Sequence, residues 1–191
     1  MIVVLGRPRL DEDGALADTA GRVAVAARGS GARVDLVGAV PDGPGGDATV
    51  VALGRAGVGH AALLRRPGDG EVRPLDREDV ELGLRYVPEC RVLVLGEPLE
   101  PGALGAAVDA AMYHRAALIA LLPAGAVAPA EFPETVTMLE LPDDDEGAFA
   151  NLVGAYAAGL ASGTDAPDAW QAAVAQTGWE SAAEFTEPHA K

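Results

Sequence analysis

Cysteine, histidine and basic residues are all scarce in this sequence, and each scarcity excludes something. With Cys90 as its one cysteine, the chain cannot form an intramolecular disulfide. His60, His114 and His189 lie far apart with no ligand spacing, so no metal site is expected. Lys and Arg together number 14 against 29 Asp and Glu, a formal net charge of −15, which argues against a nucleic-acid backbone or an anionic membrane as partner. Long apolar runs are missing as well. The stretch from Ala116 to Leu122 stops at Pro123, far short of the roughly eighteen residues that span a bilayer. The apolar start at Met1 is broken by Gly6, too early for a signal-peptide core, and the cytoplasm is the expected compartment. What the sequence does have is 49% hydrophobic residues over 191 positions, sufficient to bury a substantial core in a single domain, 1–191.

Short β-branched runs alternate with longer Ala-rich amphipathic runs. That alternation predicts an α/β fold, a three-layer α/β/α sandwich with a mostly parallel sheet covered by crossover helices. Strands are predicted at Ile2 to Leu5, Arg33 to Val40, His60 to Leu64, Arg91 to Leu95, Ala117 to Leu122 and Thr135 to Leu139. Helices are predicted at Ala15 to Arg28, Gly46 to Ala56, Arg77 to Tyr86, Pro101 to Arg115, Asp145 to Ala161 and Pro167 to Gln176. Arg65 to Leu75, rich in Pro and Gly, predicts a surface excursion or a short edge hairpin. Trp170, Trp179 and Phe185 form an apolar cluster in the tail, suited to docking on the core or to an oligomer contact.

Two stretches invite a chemical reading. In VPDGPGGD, glycines and a proline separate a strand from a helix, where backbone amides can cradle an anion; a tight turn with Asp47 at the helix start is the simpler account. There is no GKS or GKT of a phosphate-binding loop. The second stretch is PDDDEGAFANLVGAYAAGLASG. Its acids Asp143 to Glu146 suit the start of a helix, accepting from free amides and complementing the macrodipole. Cys90 beside Arg91 has no histidine placed to activate it and reads as a packed small residue.

Taken in order, these segments resemble the PfkB, or ribokinase-like, family of carbohydrate and nucleoside kinases over most of the chain. The segment from Gly21 to Val58 is similar to the family's first signature, with Gly31, Ala32, Gly38, Asp42, Gly46 and Gly57 in place and Pro41 at a common glycine. Asp11, five positions after Gly6, stands where many members hold a substrate-binding aspartate. Arg85 to Ala111 looks like the central strand and the helix behind it, and Gly147 to Gly163 aligns with the GAGD signature and its helix. The resemblance implies a ligand site at Asp11 and the loop Asp42, Gly43, Gly45, Gly46. It also implies an anion hole at Gly147, Ala148 and Phe149.

The departures bear on activity. In the family, the GAGD aspartate takes the proton of the acceptor hydroxyl, and here that position is Ala150, with Phe149 at the close-approach glycine. Loss of a general base costs roughly 10²- to 10⁴-fold. Ala17, Asp18 and Arg22 replace the paired glycines and asparagine that grip sugar hydroxyls. Between Asp11 and Ala17 there is no room for the lid strands, and part of the nucleotide-binding half is missing. The resemblance therefore implies a catalytically degenerate sugar-kinase homologue. Such a protein binds a small polar ligand (a sugar or nucleoside) or serves as a regulatory or interaction protein, with no cofactor expected. The alternative is an active kinase with ATP and Mg²⁺, using Asp145 or Glu146 as base. A third reading is a structural homodimeric subunit, and a homo-oligomer is expected, since loss of the lid and part of the nucleotide half exposes sheet edge or apolar surface that a monomer would have to cover.

Overall fold

The computed structural model describes residues 1–68, 72–142 and 147–179. The acids Asp143 to Glu146, and with them the candidate bases Asp145 and Glu146, lie outside the described residues, as do Phe185 and His189.

Six strands, β1 (Ile2–Gly6), β2 (Val34–Pro41), β3 (Gly59–Arg66), β4 (Val92–Leu95), β5 (Ala117–Leu122) and β6 (Thr137–Glu140), form one sheet in the order β3-β2-β1-β4-β5-β6. Every pairing is parallel. β1 sits near the middle, in register with Val34 to Gly38 on one side and with Val92 to Leu95 on the other. Its five residues are all buried, as expected of a strand covered on both faces.

Alternation along the strands sorts their side chains into two cores. Ile2, Val4, Leu36 and Val94 face helices α1 (Thr19–Gly29), α2 (Pro44–Arg55), α5 (Ala148–Ser162) and α6 (Ala166–Thr177). Val3, Leu5, Val37 and Leu95 face α3 (Arg77–Leu84) and α4 (Pro101–His114). The two-residue period of a strand thus builds the three layers. On the first face the tail docks: Trp170 meets Tyr156 edge-on at 5.4 Å between ring centroids, and Trp179 tilts against Phe149 at 6.0 Å.

Three predicted boundaries move for physical reasons. Helix α1 begins at Thr19 and not at Ala15, because the Asp18 carboxylate caps it by accepting from the Gly21 amide. The residues before it form a loop closed by an isolated antiparallel bridge, Leu10 with Leu16. Helix α2 starts two residues early, at Pro44, whose fixed φ suits a first turn. β3 runs on through Arg66, with its residues from Ala62 onward paired to β2, so the Pro- and Gly-rich stretch begins later than predicted; among the described residues it forms no hairpin.

Candidate functional site

The chain runs outward from β1 through β2 to β3, then returns across β1 to β4. The neighbouring strands β1 and β4 therefore send their continuations in opposite directions, and the carboxyl ends of the strands open there on a crevice. A cleft of about 890 Å³ lies at this place. Its walls come from the residues after β1, the start of α1, the first turn of α2 and the residues after β4.

Arg7 leaves β1 and Glu97 leaves β4, and the two strands hold them within reach of each other. The Arg7 Nε–H is shared between both Glu97 carboxylate oxygens, at 2.9 and 3.0 Å, while Nη1 donates to the Val72 carbonyl. Asp18 sits beside them. One of its oxygens accepts from the Gly21 amide at 2.8 Å and the other from the Arg9 amide at 2.8 Å, so a single carboxylate caps α1 and pins the loop that precedes it. Burial pushes the Asp18 carboxyl above its ordinary value, against the lowering effect of those two amides. Glu97 is also raised, first by burial; the Arg7 guanidinium opposes this, and the negative charge of Asp18 adds to it.

Of the residues that the sequence proposed, Asp11 and Gly45 line the cleft. Asp11 is exposed, and its Oδ1 accepts from the Asp13 and Ala15 amides at 3.0 and 2.9 Å, a local turn that fixes the outer wall. The Gly45 carbonyl receives the Thr49 hydroxyl at 2.8 Å. Asp42 and Gly43 precede α2 and Gly46 lies in its first turn, and none of the three lines the cleft. Gly46 has a packing task, since a Cβ there would collide with the Pro41 carbonyl. Asp47, at the start of α2, pairs with Arg65 at 2.8 Å.

The aligned GAGD position forms the start of α5. Gly147 takes a left-handed φ of 89°, which favours glycine. Ala148 follows it, then Phe149 and Ala150, each only 1% exposed and part of the core. The Phe149 side chain is buried, with its ring against Trp179. None of Gly147, Ala148, Phe149 and Ala150 lines the cleft. Among the described residues, no group of three or more His, Cys, Asp or Glu side chains is placed to hold a metal ion.

The fold has well-defined relatives among solved structures. The ribokinase of Arabidopsis thaliana, complexed with ribose and ATP, superposes with a TM-score of 0.65 at 12% identity, covering 92% of this chain and 90% of that one. The chain has the ribokinase-like fold. A microbiome-derived acarbose kinase is equally similar, with a TM-score of 0.65 at 10% identity and coverage of 93% and 91%. A mutant of phosphofructokinase-2 from Escherichia coli gives 0.58 at 15% identity, covering 92% and 91%. At such identities the ribokinase-like likeness is one of fold. No family model matches the sequence, and no curated protein matches it. Among the described residues, no helix of this ribokinase-like chain is long and apolar enough to cross a membrane.

Sequence reasoning missed Arg7 and Glu97 and read Asp18 only as a departure from a sugar-gripping pattern. A signal was present. Arg7 is the first charged residue beyond β1 and Glu97 the first beyond β4, the two strands that flank the reversal of strand order.

Proposed function

We propose that this ribokinase-like chain binds a small polar ligand, of sugar or nucleoside size, in the cleft between the ends of β1 and β4. We propose further that it does not transfer a phosphoryl group by the mechanism its fold suggests. The observation that carries this reading is the separation of two features. The cleft has its own convergent polar groups, Arg7, Asp18 and Glu97, while the start of α5 has alanine at the general-base position, with its side chain in the core. A cleft of about 890 Å³ falls within the range of small-molecule sites, and its charged and hydroxyl-bearing side chains, set among Ala, Pro, Leu and Val, suit one orientation of a hydroxylated ligand.

The kinase neighbours favour a second reading, ATP-dependent transfer to a hydroxyl with Asp145 or Glu146 as base and Mg²⁺ as the counterion of the phosphates. Thermal-shift titration separates the two. Ligands that bind the folded chain raise its stability by mass action, about 2.7 kcal/mol at a hundredfold excess over Kd. Stabilisation by a sugar or nucleoside without any response to ATP with Mg²⁺ supports the binding reading; stabilisation by ATP with Mg²⁺ favours the kinase.

A further inference from the structure

We propose that the occupant of the cleft is a small hydroxylated cation, an amino sugar or a comparable polyol amine, and that neutral sugars and phosphate esters are disfavoured. The inference rests on the reading that this cleft binds a small ligand. It deepens that reading by assigning the ligand's charge.

Asp11, Glu12, Asp18 and Glu97 face two guanidiniums, Arg7 and Arg9. Arg7 is already committed, its Nε–H shared by both Glu97 oxygens and its Nη1 turned to the Val72 carbonyl. Arg9 stands on the exposed rim, and its charge is the weakest of the influences on Asp18. The negative charge of the cleft is therefore incompletely balanced by the protein itself. The negative charge of Asp18 also works against the ionisation of Glu97, pushing that carboxyl up.

Lone pairs remain for a ligand. Each Asp18 oxygen accepts one backbone amide, and a carboxylate oxygen can accept a second donor. An ammonium group between Asp18 and Glu97 would offer three donors and a compensating charge, relieving the repulsion that a neutral hydroxyl leaves in place. A phosphate ester would bring more negative charge into a site where Arg7 is occupied, on a chain whose net charge is already −15. The remaining lining is mostly apolar, with Ala17, Ala20 and Ala39 beside the hydroxyl-bearing Thr19 and Thr49, and accommodates the carbon skeleton of a sugar.

The test is calorimetric titration of the full chain at pH 7 with two matched pairs, glucosamine against glucose and galactosamine against galactose, and with glucose 6-phosphate. Amide chemical-shift mapping reports whether each compound occupies the cleft. In at least one pair the amine should bind tenfold or more tightly than its neutral partner. That advantage should shrink with added salt and disappear in Glu97→Gln. Asp18→Asn, which keeps one accepting oxygen for the helix cap, provides a second readout should Glu97→Gln fail to fold. A neutral sugar that binds the cleft as tightly as its amine, or glucose 6-phosphate bound there, would overturn the charge assignment and leave the binding cleft standing. If no compound moved the resonances around Arg7, Asp18 and Glu97, the charge assignment and the binding reading would both fall.

Discussion

Placing a carboxylate at the start of α5 by Ala150→Asp should destabilise the protein. Ala150 is 1% exposed in a core that also holds Phe149, Leu152 and Val153. Adding a larger side chain to a packed site costs about 1–3 kcal/mol. A buried polar group without partners costs about 1–3 kcal/mol more. The sum, about 2–6 kcal/mol, is a large fraction of the roughly 5–15 kcal/mol that holds a domain together. With a urea m-value near 2 kcal/mol/M, the unfolding midpoint should fall by about 1–3 M. The loss should also depend on pH. Burial raises the folded-state pKa of the new carboxyl above its unfolded value near 3.9, so the folded chain holds the proton more tightly. The deficit is then smallest below the unfolded pKa and grows as pH rises through the folded one. Urea titrations followed by far-ultraviolet circular dichroism at acid and at slightly alkaline pH would measure it. A deficit below about 0.5 kcal/mol at both pH values, which is the effect of an ordinary surface change, would refute the placement of this turn in the core.

Three further outcomes follow from the geometry. Because Asp18 and Glu97 both have raised carboxyl pKa values, the folded state takes up protons ahead of the unfolded one. The stability of the wild type relative to Glu97→Gln should therefore fall as pH rises from the ordinary carboxylate range through the raised value, and a rising difference in paired urea titrations would contradict the burial of Glu97. Gly154 in α5 packs on α1 so closely that a Cβ would meet the Ala26 methyl and the Ala27 backbone nitrogen. Gly154→Leu should cost about 2–3 kcal/mol and lower Tm by roughly 4–12 °C in calorimetry, whereas an unchanged Tm would separate the two helices. The Cys90 thiol, pushed up to about 11 by burial, should resist an aromatic disulfide reagent at pH 8 in the native protein and react fully in denaturant; rapid native reaction would place it at the surface.

The twelve elements of the described residues were legible in the sequence from the length of each apolar run and the residues that bound it. The strands are brief apolar runs closed by Gly, Pro or charge, and the helices repeat small apolar residues at three- and four-residue spacing. Boundaries were less legible where a side chain competes with pattern. Asp18 continues an apolar-periodic stretch yet ends it by taking the Gly21 amide, so α1 starts four residues later than its composition implies. The site was legible only in part. Asp11 and Gly45 could be named from a motif, but the pairing of Arg7 with Glu97 joins residues ninety positions apart and exists only because β1 and β4 are neighbours. Strand order is a tertiary fact, set by which faces the crossover helices cover, and no local pattern states it. The burial of Phe149 against Trp179 is of the same kind, since it depends on where Trp179 docks.

Binding without phosphoryl transfer, as proposed for this ribokinase-like chain, is decided by measuring ADP release from ATP with Mg²⁺ in the presence of each sugar, amino sugar and nucleoside that stabilises the protein. No ADP should form above the background seen without the protein. ADP formed in proportion to protein concentration, dependent on the ligand and abolished by Asp145→Asn or Glu146→Gln, would contradict it.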